Sequence, residues 1–293
     1  MRERVAVRAP AKVNLFLRVL GRRADGYHDL RTLFQSIDVI DDVSVELGGS
    51  GIEIEIDGPH LSPVSENLAF RAASAYRNAI GLEGGVRITL RKRIPAGAGL
   101  GGGSSDAAAV LSCLSALTGA GNQERLHALG AELGSDVPFF LGSSTLALGT
   151  GRGDVLEALP PLPEGHLVLA LTPLHISTRA AYAALADVRE GGAPPPTVGP
   201  DTPIHSWADV RSVAYNDFER VVATSHPEVL RTLAALAEAG AGFALLSGSG
   251  GASFGIFDDR DQAVGAAADL SEELGCPCVA AQTLAKRPVP APA

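Results

Sequence analysis

The chain has 293 residues and a net charge of −9. The length suits two domains rather than one, and the acidic balance, whose densest basic cluster is Arg91, Lys92 and Arg93, argues against a nucleic-acid binder. No run approaches the ~20 apolar residues that span a bilayer, and the charged, alternating N-terminus lacks the apolar centre of a signal peptide, so a cytoplasmic protein with no nucleic-acid or membrane partner is expected.

Residues 4–8 and 13–20 alternate as strands, and 21–28, full of Gly, Asp and Arg, reads as a loop. Two further strands, 33–40 and 43–47, flank a predicted tight turn at Asp41 and Asp42. The run IEIEI at 52–56 alternates strictly, as a half-buried strand does. A helix is predicted over 67–80 and another alternating run over 86–94. After the glycine-rich break at 95–103, a helix over 104–117 is expected, with Ser104 at its cap and Asp106 in its first turn. A helix over 122–133, a turn at 134–138 and a short strand at 144–148 follow.

The three prolines in 159–165 place a domain boundary, giving expected domains of 1–160 and 161–285. The second contains strands at 167–171, 243–246 and 252–257 and helices at 178–185, 227–239 and 261–274. That order suits an α+β domain with helices on one face of an antiparallel sheet. Residues 191–203 read as a proline-rich surface loop and 286–293 as a disordered tail. Cys113, Cys276 and Cys278 form no CxxC pair, so neither a disulfide framework nor a structural zinc site is expected.

The stretch IPAGAGLGGGSSDAA at 94–108 holds glycines at 97, 99, 101, 102 and 103. Glycines let consecutive backbone N–H groups point inward around an anion, and the start of a helix adds unpaired N–H groups and the positive end of its dipole. Phosphate is the expected guest. Gly97, Gly99 and Gly102 also match GxGxxG, the dinucleotide pattern, but no βαβ unit with a suitably placed acidic residue surrounds them. No Gly-Lys-Ser/Thr follows either, so this loop supplies no lysine of its own.

This stretch resembles the second motif of the GHMP kinases (galactose, homoserine, mevalonate and phosphomevalonate kinases). APAKVNLFL at 9–17 resembles the family's N-terminal motif, and LSGSGGASFGIF at 246–257 its third, a second glycine loop beside the phosphates. Gly251 stands where that motif commonly has alanine. The stretches RADGYHDL at 23–30, TLFQSI at 32–37, GSDVPFF at 134–140 and NDFE at 216–219 are most like the branch acting on a cytidine-diphosphate polyol of the non-mevalonate isoprenoid route.

The resemblance implies a two-domain GHMP kinase fold. Its N-terminal domain would be ribosomal-protein-S5-domain-2-like, its C-terminal domain ferredoxin-like, and the active site would lie in the cleft between them. It implies ATP as phosphoryl donor with Mg²⁺, transfer to the 2-hydroxyl of the polyol, and a monomer or weak homodimer. Asp136 would be the catalytic base and Lys12 its partner. Asn14, Tyr27, His28, Phe34, Thr178 and Tyr182 would form the cytidine and substrate pocket. ATP would be held by Asn67, Pro95, Ala96, Gly97, Ala98, Gly99, Leu100, Gly101, Gly102, Gly103, Ser104, Ser105, Gly248, Ser249 and Gly250, with Ser105 and Asp136 the candidate Mg²⁺ ligands. On the residues alone, a turn or cap aspartate is the favoured reading of Asp136. Two alternatives remain at this level: a GHMP kinase for another alcohol (mevalonate, phosphomevalonate or homoserine), and a non-catalytic regulator of the same fold.

Overall fold

The computed structural model describes residues 4–58, 63–174, 176–189 and 203–293. The proline-rich stretch 191–202 therefore lies outside the described residues. Strands β1 (Arg4–Arg22) and β2 (His28–Leu47) make one long antiparallel hairpin. Register shifts at Pro10/Ala11, Asn14/Phe16 and Val19/Gly21 bend it and re-aim side chains around Lys12 and Asn14. The expected turn at Asp41 and Asp42 is absent: β2 runs straight through it. Asp41 is buried and accepts the Ile94 N–H at 2.9 Å and the Arg93 N–H. Its job is long-range, pinning the chain that leaves β4.

Beside β2 lie β4 (Val86–Arg91), antiparallel, and β3 (Ile52–Asp57), parallel to β4. Helices α1 (Leu68–Ile80) and α2 (Gly102–Thr118) cover this end of the sheet. Val43, Val45, Ile88 and Leu90 from the strands meet Ala72, Tyr76, Val110 and Leu111 in one buried cluster. Helix α2 starts two residues earlier than expected. Its cap is Gly101 with φ 73, not Ser104, and no side chain caps it. Three glycines in a row deny the helix a capping hydroxyl and leave its first N–H groups open. Helix α3 (Gln123–Leu133) follows as expected, capped by Asn122. The turn at 134–138 leads into a short helix, α4 (Val137–Leu141), then the β5 (Leu146–Thr150)–β6 (Val155–Ala158) hairpin, which pairs with β2.

The second sheet is formed by β7 (His166–Leu171), β9 (Phe243–Leu246), β10 (Ala252–Phe257) and β11 (Cys278–Gln282), in the order β11-β7-β10-β9, all antiparallel. Helices α8 (Glu228–Glu238) and α9 (Arg260–Leu274) cover one face, as the element order suggested, burying Val168 and Phe257. The other face packs on the first sheet: Leu167, Leu169, Phe254 and Ile256 share a cluster with Ala11, Val13, Leu15, Leu33 and Ile37. Burial on both faces explains why these strands read as unbroken apolar runs.

Helix α5 (Thr178–Arg189) is longer than expected. Helices α6 (Trp207–Val213) and α7 (Asp217–Ser225) were not anticipated, although the Ser206/Asp209 capping box of α6 is a sequence signal. Between them, β8 (Tyr215–Asn216) pairs parallel with β1 at Phe16 and Leu17. The tail also differs from expectation. Strand β12 (Ala291–Pro292) pairs with Val5 and Ala6, and Arg287 Nη2 donates to the Ser144 carbonyl at 2.6 Å. Proline is tolerated there because an edge strand has N–H positions that need no partner. Among the described residues, no helix is long and apolar enough to cross a membrane.

The NDFE stretch ties the two halves together. Asn216 Nδ2 donates to the carbonyls of Leu246 (2.8 Å) and Gly248 (2.7 Å). Asp217 Oδ2 accepts the Val19 N–H at 2.7 Å, and Glu219 Oε1 accepts the Leu246 N–H at 2.8 Å. Burial pushes the Glu219 carboxyl up to about 7, against the pull of that N–H. Because the folded-state value is raised, the folded chain holds a proton that the unfolded chain releases near the ordinary carboxylate range. The associated stability is present below that range and lost as pH rises through about 7. Glu219→Gln keeps the acceptor without the charge. It should be more stable than the parent at pH 8 by about 1–3 kcal/mol and equal to it near pH 4 in urea melts. Equal midpoints at pH 8 would contradict the assignment.

Candidate active site

The site is built around Lys12, which β1 carries into the interior and which is almost wholly buried. Its Nζ donates to Asn14 Oδ1 at 2.5 Å and to the Gly99 carbonyl at 2.8 Å, and lies 3.8 Å from Asp136 Oδ2. Burial pushes the Lys12 ammonium below its ordinary range, and Asp136 opposes that shift. Asn14 spends both ends of its amide inside the protein, since its Nδ2 donates to Thr32 Oγ1 at 2.8 Å. Both ends of the amide that the resemblance assigns to the substrate pocket are thus tied to Lys12 and Thr32.

Gly99 is the hinge of the arrangement. It adopts φ +80, and a Cβ there would stand 2.0 Å from the Ser247 carbonyl oxygen. The first glycine loop is thus pressed against the third motif. Ser247 Oγ donates to the Gly99 carbonyl at 3.0 Å, and the Ala252 N–H to the Ala98 carbonyl at 3.1 Å. Gly248 sits against Lys12 Nζ and Asn14 Oδ1. The departure at Gly251 has a local reason: a Cβ would lie 2.4 Å from the Leu174 carbonyl oxygen.

Asp136 occupies the N-cap position of α4 but its side chain makes no capping hydrogen bond. The residue lies in the turn expected at 134–138, but its side chain does not perform the capping role that residue type suggested. Its carboxylate is about one-third exposed and faces Lys12.

A cavity of ≈1140 Å³ opens beside this pair. Pro95 to Ser104 line one side, Asn67 the next, and Thr178, Ser249 and Gly250 the side contributed by the second half. Asn67 also caps α1 by accepting the Ala69 N–H at 2.9 Å. Ser105 does not join them. It is 1% exposed, its hydroxyl has no partner among the described residues, and it lies on the side of α2 turned towards Val7 to Pro10. A role in holding phosphate or Mg²⁺ does not fit that placement. Because α2 begins at Gly102, Ser104 is the hydroxyl that reaches the cavity.

One charged cluster on the lining went unread in the sequence. Lys92 Nζ pairs with Asp106 Oδ2 at 2.5 Å and with Asp41. Burial alone would lower the Lys92 ammonium, but the two carboxylates hold it above its ordinary range. Burial, with Asp41 adding to it, pushes the Asp106 carboxyl up to about 7 while Lys92 pulls the other way. Asp106 is thus no first-turn dipole partner, as expected from sequence, but half of a buried clamp on a cavity-facing cation.

On the substrate side, His28 stacks on Tyr182 with ring centroids 4.4 Å apart, and Tyr182 meets Phe218 edge-on at 4.9 Å. Burial, with a contribution from Asp136, pushes the Tyr182 hydroxyl up to about 12. Tyr27 is exposed, its ring 5.0 Å from the Arg152 guanidinium. Thr178 joins this wall to the phosphate side, with its Oγ1 3.1 Å from Ser249 Oγ. Phe34 is buried beneath Lys12 and stacks on Phe139, so it offers no free ring to a base.

Among proteins of known kind, the GHMP kinases N terminal domain matches residues 67–144 and the GHMP kinases C terminal domain residues 202–275. A 4-diphosphocytidyl-2-C-methyl-D-erythritol kinase of Geobacter sp. (strain M21) is 41% identical over 278 residues, 94% of this chain and 98% of the relative. One from Moorella thermoacetica is 42% identical over 270 residues, 90% and 94% of the two chains. A crystal structure of 4-(cytidine 5'-diphospho)-2C-methyl-D-erythritol kinase superposes with a TM-score of 0.77 at 40% identity, covering 95% of this chain and 98% of that one. The homoserine kinase of Cytophaga hutchinsonii, at 17% identity and a TM-score of 0.69 over 99% of this chain, shares the fold. The chain belongs to the GHMP kinases and, within them, to the 4-diphosphocytidyl-2-C-methyl-D-erythritol kinase family.

Proposed function

We propose that this chain catalyses ATP-dependent phosphorylation of the 2-hydroxyl of 4-diphosphocytidyl-2-C-methyl-D-erythritol, in the non-mevalonate (methylerythritol phosphate) route to isoprenoid precursors. The observation that carries the reading is the Lys12–Asp136 pair, with its uncapped carboxylate, set against the docked glycine loops. The polyphosphate of ATP lies along the backbone N–H groups of residues 97–103 and the open start of α2. Lys92 lies on the same lining with its charge balanced by Asp41 and Asp106.

Asp136 accepts the proton of the attacking hydroxyl as its oxygen closes on the γ-phosphorus and ADP departs. Lys12, 3.8 Å from that carboxylate, stabilises the charge that spreads over the transferring group. Lys12 acts from a buried position, where a charge is felt more strongly than in water. A regulator stripped of chemistry would have no use for a buried ammonium aimed at a free carboxylate.

The donor set suits a cation that arrives on the nucleotide. Among the described residues no group of three or more His, Cys, Asp or Glu could hold an ion by itself. Asp136 has a carboxylate about one-third exposed and Ser104 a cavity-facing hydroxyl, and Mg²⁺ commonly takes one or two such ligands besides phosphate and water. When bound, it would neutralise charge on the phosphate oxygens. The cytidine end is read by the His28–Tyr182 stack with Tyr27 nearby.

Two substitutions separate these roles. Asp136→Asn should cut turnover by roughly 10²-fold or more while leaving ATP affinity within a few-fold, the scale of a lost acid/base group. Full turnover in that variant would remove Asp136 from the mechanism. Tyr182→Ala should raise KM for the cytidine substrate by roughly 5- to 100-fold, the worth of one stacked base, with KM for ATP unchanged. A rise confined to ATP would place the ring in the wrong subsite.

A further inference from the structure

The tail residue Arg287 follows Lys286 and is itself followed by prolines, valine and alanine. Its guanidinium lies 4.6 Å from the centre of the Phe139 ring and 5.7 Å from that of Phe140. One nitrogen, Nη2, donates to the Ser144 carbonyl. The others, Nε and Nη1, are buried with no hydrogen-bond partner among the described residues. Burial pushes the group down to about 10. A guanidinium in that position is held chiefly by aromatic faces, an attraction that strengthens as water is removed.

Those faces lead to the reacting groups. Phe139 stacks on Phe34 with centroids 5.0 Å apart, and Phe34 lies under Lys12 Nζ at 5.7 Å. Phe139 is also three residues from Asp136 on the same short helix. Since the Asp136 side chain caps nothing, its place depends on how α4 is seated. The seat is made by Phe139 and Phe140 and by Gln123 Nε2, which donates to the Leu141 carbonyl at 2.6 Å. One contact series, Arg287–Phe139–Phe34–Lys12, therefore backs both members of the catalytic pair.

We propose that Arg287 is a positioning residue for phosphoryl transfer: bound to Phe139, it fixes α4 and Phe34 so that the Asp136 carboxylate and the Lys12 ammonium keep their working separation. The inference rests on the reading of Asp136 and Lys12 given above. It assigns the C-terminal segment a catalytic consequence although it touches neither nucleotide-binding loop.

The test compares the full-length chain with Arg287→Ala, Arg287→Lys and Arg287→Met in kcat, KM for ATP and thermal midpoint. Arg287→Ala should lower kcat by roughly 3- to 10-fold, the scale of a lost cation–π contact felt at a geometry-sensitive site, with KM for ATP within two-fold. Arg287→Lys, which keeps a cation over the ring, should recover most of the loss, and Arg287→Met, which only fills space, should not. Parental kcat in Arg287→Met, even with a lowered midpoint, would reduce Arg287 to packing and overturn the proposal. Should Arg287→Ala not fold, the Lys and Met variants decide alone. Should the parent itself fail to turn over, the functional reading falls. The titration of the Lys12 ammonium by NMR then decides the positioning: it should move in Arg287→Met and return in Arg287→Lys, and an unmoved titration overturns it.

Discussion

A lysine ammonium buried at the seam between two glycine loops is the constraint on which the rest of this structure depends. A buried charge without partners costs several kcal/mol. Lys12 is supplied with three acceptors, Asn14 Oδ1, the Gly99 carbonyl and the Asp136 carboxylate, from three separate segments of chain. For the Gly99 carbonyl to reach it, the first loop must lie against Ser247 so closely that no side chain fits between. The same closeness leaves the backbone N–H groups of 97–103 and the start of α2 facing the cavity. Burial of the Lys12 charge and the shape of the cavity wall thus follow from one docking of the two loops.

That docking needs support from both sides. Asn216 and Glu219 hold the backbone of the third motif at Leu246 and Gly248, while Asp217 holds β1 at Val19. Asp41 holds the opposite end of the first loop through the Arg93 and Ile94 N–H groups. Carboxylates that accept backbone N–H groups fix geometry well, and at Glu219 burial also raises the proton affinity. The active site is therefore a junction whose position is set by residues that never meet a substrate.

Much of this was legible in the sequence, and what was not has a common physical cause. Strand alternation is a local signal that located β1, β3 and β4, and glycine density located the break that leads into α2. Asp41 beside Asp42 looks like a turn to any local rule, because its partners lie 51–53 positions away. Ser104 looks like a cap, yet helix α2 starts at glycines whose open N–H groups are needed elsewhere. Ser105, one residue on, points to a different side of that helix, a 100° rotation that a motif string does not encode. Asn14 and Phe34 belong to the motif but serve Lys12 from beneath. The tail has the composition of a disordered segment, and only its pairing with β1 and the seat of Arg287 on Phe139 give it a place.

The central claim is that the Lys12–Asp136 junction transfers the γ-phosphoryl group of ATP to one hydroxyl of a cytidine-diphosphate polyol. Phosphorus NMR of the purified chain with ATP, Mg²⁺ and 4-diphosphocytidyl-2-C-methyl-D-erythritol tests it most directly. The account predicts a single new phosphomonoester resonance, assignable to the 2-position, growing in step with ADP. Release of ADP with inorganic phosphate and no ester, or an ester formed equally well on mevalonate or homoserine, would contradict it.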